Sequence, residues 1–413
     1  MNRITESTRG TAESPYACLR LGAALILMTI GGVGMYSMAV ALAPVQAEFS
    51  ADRGGASLPY TLTMIGFGLG GILMGRLSDR FGVFVPVLIG GSSLGIGFVA
   101  AGLAPGLLPF TLVHGLLIGL LGCSATFAPL VADTALWFNR HRGIAVAICA
   151  SGNYLAGTVW PPILQYFFER AGWRATYVGV GIFCAVSITG LAFVLRRRPP
   201  ALEANFSGTQ VKSAGEMPLG LSPNTLMVLL SVAGVACCVA MSMPQVHIVA
   251  YCSDLGYGAA RGAEMLSLML GFGIVSRLLS GWISDHIGGL RTLLLGSALQ
   301  GVALVLFLPF DGLVSLYVVS AMFGLFQGGI VPAYALIVRE YFSPLEAGTR
   351  TGIVLMATLF GMALGGWMSG AIFDLTGSYR AAFVNGIAFN LLNLTIALWL
   401  LRRALRRHEL LPA

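Results

Sequence analysis

Long apolar segments alternate with short polar connections along the whole chain. Twelve of these segments reach the length of about 20 residues that a helix needs to cross a bilayer. The pattern therefore predicts an all-α integral membrane protein with twelve transmembrane helices. The predicted spans cover residues 19–46, 57–78, 84–104, 108–136, 143–168, 175–196, 224–252, 262–284, 290–310, 313–339, 349–373 and 379–401.

The composition supports a membrane protein and argues against other classes. Hydrophobic residues make up 56% of the chain and charged residues only 10%, whereas a soluble domain has roughly 25% charged residues. The net charge of +7 does not indicate nucleic-acid binding, because the bases lie around the predicted spans. The seven cysteines show no C-x-x-C spacing, which predicts reduced, buried thiols rather than a metal site. No nucleophile–base set appears either, so we expect no enzymatic activity and no cofactor.

The positions of the bases predict the orientation in the membrane. If the N-terminus is cytoplasmic, five bases fall on the outer side and Arg277 falls within a span, while all others lie on the cytoplasmic side. Both termini are therefore predicted to be cytoplasmic. The five outer bases are Arg53, Arg170, Arg174, Arg261 and Arg380.

The longest polar stretch divides the predicted spans into six and six. It runs from Arg196 to Pro223 and is rich in Pro, Gly and Ser, as expected for a linker. The predicted organisation is an N-terminal tail 1–18, a six-helix bundle 19–198, a cytoplasmic linker 199–223, a second six-helix bundle 224–401 and a C-terminal tail 402–413.

The two halves repeat at a single offset. Residues 75–82 (GRLSDRFG) match residues 281–288 (GWISDHIG), and residues 174–177 match residues 380–383, both at an offset of 206 residues. Two matches at one offset predict two bundles related by a pseudo-two-fold axis. Such repeats, with a binding site at their interface, are a transporter architecture.

With these features the chain resembles the major facilitator superfamily. The Gly-x-x-x-Asp-Arg-x-Gly loop at 75–82 is that family's most recognisable motif, and 281–288 is a weaker copy. The resemblance implies that the motif couples helix movements on the cytoplasmic side; the alternative is that its charges only fix topology. The residues assigned to this gating motif are Gly75, Asp79, Arg80, Gly82, Gly281, Asp285 and Gly288.

The resemblance narrows at several segments. Residues 137–145 (WFNRHRGIA) resemble the monocarboxylate transporter family, and residues 245–247, 254–256 and 361–366 resemble its bacterial branch. This implies a protein of the plasma membrane, here the bacterial inner membrane. It also implies a secondary transporter for a small organic anion, such as lactate or pyruvate, by proton symport with alternating access.

Arg277 is the main candidate for the binding site. It lies in an unbroken apolar stretch, 265–283, that contains no acidic residue. A guanidinium stays charged at ordinary pH, and placing it at the centre of a bilayer costs at least ~2.5–3.5 kcal/mol. An anionic substrate would supply the acidic group that this stretch lacks, and Arg277 also occupies the place of the family's substrate-binding Arg. The alternative is that Arg277 pairs with backbone carbonyls or with Asp133, although Asp133 lies near the cytoplasmic end of its span.

Proton coupling cannot be carried over from animal members of the family. Gly273 stands where they have an Asp, and the first span has no Lys. His247 is the remaining titratable candidate, because the reference pKa of His near 6.5 suits a proton carrier. Alternatively, it only makes hydrogen bonds within a helix bundle. We place His247 towards the outer gate and Arg277 at the central site, and expect His114 at the membrane interface.

Other polar residues are candidates for the substrate cavity, although each could equally face a neighbouring helix. They are Tyr36, Asn153, Tyr154, Gln327, Tyr334 and Asn390.

The residues leave several functions open besides proton symport. An exchanger of oxalate- or formate-like anions and a uniporter fit the same arginine. A drug–proton antiporter usually needs an acid in the membrane for its cationic cargo, and no span has a central one. A non-transporting sensor would normally add a signalling domain, for which the predicted linker and tails are short. The expected partners are a small carboxylate, the proton and the lipid bilayer, with no metal and no nucleic acid.

Overall fold

The computed structural model describes residues 13–138, 140–197 and 218–410, and its regular elements are helices. A π-helical segment, His114–Cys123, follows α5, and short 3₁₀ turns occupy Phe193–Leu195 and Pro218–Gly220. The helices are α1 (Pro15–Gly31), α2 (Val33–Glu48), α3 (Arg53–Phe81), α4 (Phe84–Gly102), α5 (Leu107–Val113), α6 (Ala128–Trp137), α7 (Arg142–Ala192), α8 (Pro223–Asp254), α9 (Ala259–Ile287), α10 (Gly289–Leu306), α11 (Leu313–Gln327), α12 (Ile330–Tyr341), α13 (Pro344–Thr376) and α14 (Tyr379–Leu410).

The described residues form 11 helical segments that are long and apolar enough to cross a membrane. One of them contains α7, whose 51 residues would extend about 77 Å as a straight helix, far more than the ~30 Å hydrocarbon core. Gly172 interrupts α7 with φ 78° and ψ 158°, a conformation that is essentially restricted to glycine. The segment therefore supplies two spans, and the predicted total of twelve is confirmed.

Local sequence signals account for several helix starts. The Asp52 carboxylate accepts the Gly55 N–H at 2.7 Å and caps α3. The Ser222 hydroxyl accepts the Thr225 N–H at 3.1 Å and caps α8. Short oxygen-bearing side chains at this position satisfy N–H groups that the first helical turn leaves unpaired.

Both copies of the repeated motif end a helix in the same way. Gly82 has φ 81° and ψ 167°, and Gly288 has φ 82° and ψ 163°. Their N–H groups donate to the Ser78 and Ser284 carbonyls at 2.8 and 2.9 Å. The motif predicted as a loop is therefore the last two turns of a helix with its glycine cap. Polarity marked the edge of the apolar span, but the backbone hydrogen bonds continue past it.

The described chain divides into two compact units. The first contains residues 13–197 together with 259–267, and the second contains residues 218–258 and 268–410. The Ser267 hydroxyl donates to the Thr158 carbonyl, which ties the start of α9 to the first unit. Most of the predicted linker 199–223 lies outside the described residues, and so do most of the N-terminal tail and the last residues of the C-terminal tail. The predicted bundle boundaries stay predictions.

Glycines allow close helix contacts in the first unit. A methyl group added at Gly66 would overlap the Gly115 carbonyl oxygen, and one added at Gly70 would overlap the Leu120 carbonyl oxygen. α3 therefore packs directly on the π-helical segment. Small residues at such contacts are typical of membrane helices, whose association depends on close packing.

The second unit uses the same device between α8 and α13. A methyl group at Gly361 would lie 2.5 Å from the Val235 carbonyl oxygen, and one at Gly365 would lie 2.6 Å from the Val239 oxygen. The outer surfaces of both units expose large apolar side chains along their helices, including Val186 and Val314. A lipid bilayer covers such surfaces without the cost that water would impose.

A buried ion pair that the sequence reading missed holds the first unit together. The Arg20 guanidinium donates to both Asp133 carboxylate oxygens, at 2.8 and 2.9 Å. It also donates to the Arg197 carbonyl at 3.2 Å and lies 4.7 Å from the centre of the Trp137 ring. Asp133, considered above as an alternative partner for Arg277, therefore pairs with Arg20.

His114 is enclosed by protein, while its place at the membrane interface stays a prediction. Its side chain is fully buried, and the centres of the Phe110 and Tyr177 rings lie 4.6 and 5.9 Å from its own. Nδ1 lies 3.4 Å from the Thr63 hydroxyl. The π-helical turn directs this imidazole into an aromatic cluster of the first unit.

Candidate functional site

Arg277 lies on α9, half-buried, within the second unit. The adjacent surface of α9 packs against the end of α11. A methyl group added at Gly328 would overlap the Gly273 carbonyl oxygen and would lie 2.8 Å from Ser276 Cβ. The charged side chain therefore leaves α9 beside a close helix–helix contact.

Two glutamine amides meet near that contact. Gln245 of α8 donates from Nε2 to Oε1 of Gln327, the last residue of α11, at 3.1 Å. Gln327 is fully buried, and Gln245 is 8% exposed. Gln327 Nε2 has no hydrogen-bond partner among the described residues. Gln327 was predicted as a cavity residue, whereas Gln245 was noted only within the family-like segment 245–247.

His247 is fully buried one helical turn beyond Pro244. Its Nε2 lies 2.8 Å from the Gly366 carbonyl oxygen, and its Nδ1 lies 3.0 Å from the Tyr379 hydroxyl. A carbonyl oxygen only accepts, so Nε2 carries a hydrogen. The tyrosine hydroxyl can donate or accept, which lets the ring keep both partners in either protonation state. Tyr379 begins α14, so His247 lies beside the start of that helix, while its place at an outer gate stays a prediction.

Tyr334 and Asn390 belong to a polar network inside the second unit. The Tyr334 hydroxyl donates to Asn393 Oδ1 at 2.8 Å, and Asn393 Nδ2 donates to the Ser297 hydroxyl at 2.7 Å. Asn390 Nδ2 donates to the Ser297 carbonyl and to Gln300 Oε1, at 3.1 and 3.2 Å. Every member is at most 1% exposed. These contacts favour a structural role, and substrate binding by Tyr334 and Asn390 stays a prediction.

The remaining cavity candidates lie in the first unit. Tyr36 is 8% exposed and Tyr154 is 6% exposed. Asn153 is half-buried, and its Oδ1 would lie 3.6 Å from a methyl group added at Gly32, where α1 meets α2. Asn153 thus lies at the break in the first span, and these three substrate contacts also stay predictions.

The charged residues of the gating motif lie at exposed helix ends. Asp79 and Arg80 are exposed near the end of α3, and Asp285 is exposed near the end of α9. Gly75 and Gly281 have open space where a β-carbon would be. The structure explains the final glycines of the motif through their backbone conformation, while the proposed gating role stays a prediction.

A pocket of about 470 Å³ in the first unit is a different kind of surface. Apolar side chains of α7 on both sides of Gly172 line it, Thr176 adds one hydroxyl, and none of the predicted site residues does. An anion needs charged or polar partners, so the lining of this pocket does not suit an anion. Within the described residues, no three His, Cys, Asp or Glu side chains converge as they would around a metal ion.

The helical architecture and the repeated motif define a membrane transporter fold. The chain belongs to the Major Facilitator Superfamily, whose family model matches residues 23–316 and 265–412. It is a multi-pass membrane protein, and the relatives named below are transporters.

Two curated relatives are similar over most of the chain. Monocarboxylate transporter 13 of Bos taurus is 29% identical over 315 residues, which are 76% of this chain and 72% of that protein. The uncharacterized MFS-type transporter YcxA of Bacillus subtilis (strain 168) is 25% identical over 344 residues, or 81% of this chain and 83% of that one.

Solved structures share the fold at low sequence identity. The peptide transporter POT in complex with sulfate has a TM-score of 0.73 and 13% identity, with coverage of 97% of this chain and 96% of that one. A bacterial homologue of the human lysosomal transporter Spinster, inward-facing and unoccupied, has a TM-score of 0.72 and 16% identity. That match covers 96% of this chain and 99% of the other.

Proposed function

We propose that the protein is a secondary active transporter of a small organic anion, in the first place a monocarboxylate such as lactate or pyruvate. The observation that carries the proposal is Arg277, a permanent cation in the apolar helix α9. The similarity to monocarboxylate transporters supports the same substrate class. Arg277 would bind the carboxylate through two parallel hydrogen bonds, which low polarity strengthens.

Transport would proceed by alternating access, with residues 1–200 moving against residues 220–413 around the bound anion, and with a proton as co-substrate. The proposed location is the plasma membrane, in a bacterium the inner membrane, with both termini cytoplasmic. The excess of bases on the cytoplasmic side of the predicted spans supports that orientation.

Uptake of radiolabelled lactate, pyruvate, oxalate and formate into proteoliposomes tests the proposal. We expect saturable, protein-dependent uptake of lactate or pyruvate that accelerates when an inward proton gradient is imposed. Uptake that requires a counter-anion inside the vesicles would instead identify an exchanger. Saturable uptake without proton movement would identify a uniporter.

Asp79→Asn is expected to slow turnover more than it weakens substrate binding. Asp79 is exposed near the end of α3, in the motif that we predict at the cytoplasmic face and away from the membrane centre. It should therefore act on the equilibrium between inward- and outward-facing states. The maximal uptake rate should fall while the half-saturation concentration changes little. Initial rates over a range of lactate concentrations measure both quantities.

Asp311→Asn is the matched control, because Asp311 is an exposed carboxylate just before α11 and outside the motif. It should leave both kinetic constants near their wild-type values. A raised half-saturation concentration for Asp79→Asn at an unchanged maximal rate would contradict the gating role.

His247→Gln is expected to flatten the dependence of uptake on external pH. Wild-type uptake should rise as the pH falls from about 7.5 to 5.5, around the reference pKa of His, because protonated His247 adds a positive charge that attracts the anion. The His247 ring is buried and has two hydrogen-bond partners. These contacts support its role as a group that takes up and releases a proton without changing its position. Glutamine keeps the hydrogen bonding but cannot become charged in this range.

His141→Gln, at an exposed position just before α7 and outside the gating motif, controls for the loss of an arbitrary imidazole and should keep the wild-type profile. Protein-free liposomes are also needed, since undissociated acid crosses bilayers faster at low pH. The assignment to His247 fails if His247→Gln retains the protein-dependent pH profile of the wild type.

A further inference from the structure

The helices α9 and α11 pack side by side and run in the same direction. A methyl group added at Gly324 would overlap the Met269 carbonyl oxygen, and one added at Gly328 would overlap the Gly273 carbonyl oxygen. The contacts advance together, by four residues on each helix. The line of contact therefore follows Met269 and Gly273 on α9, and Gly324 on α11 with Gly328 directly after its last residue.

Arg277 and Gln327 lie on the same flank of this helix pair. Arg277 follows the contact residue Ser276 by one position, and Gln327 precedes the contact residue Gly328 by one. Each step along an α-helix turns by about 100°. When two parallel helices face each other, the residue after a contact position on one helix and the residue before a contact position on the other point to the same side of the helix pair.

Gln245 of α8 closes this flank. Its Nε2 donates to Gln327 Oε1 at 3.1 Å. Two paired amides, and not only apolar side chains, therefore lie on this flank of the helix pair. Gln327 is fully buried, and its Nε2 has no partner among the described residues. Leaving a buried donor unpaired costs about 1–3 kcal/mol. That cost disappears when a ligand oxygen accepts from Nε2.

We propose that the Gln245–Gln327 pair makes the transporter selective for monocarboxylates that carry a hydroxyl or keto oxygen next to the carboxylate. This inference rests on the proposed function, in which Arg277 binds the carboxylate. Gln327 Nε2 would donate to the neighbouring substrate oxygen, and Gln245 would hold the Gln327 amide in the required orientation. Hydroxyl and keto oxygens both accept hydrogen bonds, so lactate and pyruvate would both be substrates, while propionate would leave the donor unpaired.

Gln327→Met tests the proposal, since methionine has a similar length but no hydrogen-bonding amide. Lactate and propionate uptake into proteoliposomes is compared at neutral pH, with protein-free vesicles subtracted. Wild type should prefer lactate, and Gln327→Met should lower the lactate-to-propionate ratio of kcat/KM about tenfold, the effect of one net hydrogen bond. The loss should come from lactate, with propionate little changed. Gln245→Met should lower the ratio in the same direction.

Gln300→Met is the matched control, because Gln300 is another fully buried glutamine of the second unit, in the network with Asn390. It should change lactate and propionate uptake by the same factor. An unchanged ratio in Gln327→Met, as expected if a water molecule satisfies Nε2, overturns the proposal. So does a wild type without preference for lactate, which decides the matter even if Gln327→Met does not fold.

Arg277→Ala distinguishes a failure of the selectivity proposal from a failure of the proposed role of Arg277. If Arg277→Ala abolishes uptake while Gln327→Met keeps the wild-type ratio, only the selectivity proposal fails. If Arg277→Ala retains uptake of both anions, Arg277 does not bind the carboxylate. If wild-type protein takes up neither anion, the proposed function itself fails.

Discussion

Replacing Arg277 by lysine is expected to remove most anion uptake while the protein still inserts and folds. Lysine keeps the positive charge but lacks the planar fork that binds both carboxylate oxygens. Charge-assisted hydrogen bonds contribute about 1.5–3 kcal/mol each, so kcat/KM should fall about 10- to 100-fold. Arg277→Ala, which also removes the charge, should lower uptake further. Initial uptake rates in proteoliposomes, normalised to the amount of reconstituted protein, measure the effect.

Arg261→Lys provides the matched control within the same helix. Arg261 lies at the exposed start of α9, where it pairs with Glu264 at 3.0 Å. Because both side chains are exposed, this pair should contribute little, and Arg261→Lys should transport like the wild type. If Arg277→Ala takes up every tested anion at nearly the wild-type rate, Arg277 is not the central binding residue.

Asp133→Asn is expected to cause the largest loss of stability among single substitutions of polar residues in the first unit. The Arg20 and Asp133 side chains are 3% and 9% exposed, and the guanidinium stays charged without its partner. Breaking a buried pair on one side costs roughly 3–5 kcal/mol. For a unit of this size, that corresponds to a fall of about 10 °C in the unfolding midpoint.

A thiol-reactive dye can follow this unfolding, because six of the seven cysteines are buried and react only when the structure opens. Glu264→Gln removes an exposed ion pair and should shift the midpoint only slightly. The double substitution Arg20→Met with Asp133→Leu should recover much of the loss, because it removes both buried charges. A midpoint for Asp133→Asn within a degree of the wild type would show that the pair does not stabilise the unit.

Hydrophobic length was sufficient to predict the twelve spans, and the repeat was sufficient to predict equivalent helix ends at Gly82 and Gly288. The exact ends were harder, because a helix continues beyond the apolar segment as long as its backbone hydrogen bonds are satisfied. The turn inside α7 depends on the backbone conformation of one residue, Gly172, which apolar periodicity does not reveal.

The candidate site was only partly predictable, since long-range pairing decides it. Arg277 stood out because a charge in an apolar span is rare. Arg20 and Asp133 are 113 residues apart, so their pairing appears only when α1 and α6 are packed together. Likewise, the environments of His114 and Asn390 depend on which neighbours face them. The usable signals for the amide pair were two polar residues in mainly apolar spans, namely Gln327, predicted as a cavity residue, and Gln245, noted within the family-like segment 245–247.

The matching glycine caps at Gly82 and Gly288 also give information about the evolution of the chain. Their φ angles differ by 1° and their ψ angles by 4°, although Arg80 in one copy corresponds to His286 in the other. If the halves arose by duplication of a six-helix ancestor, this glycine cap existed before the duplication. Its backbone conformation was then kept while the surrounding side chains diverged. In distant relatives, the final glycine of the motif should therefore persist after the charges beside it have been replaced.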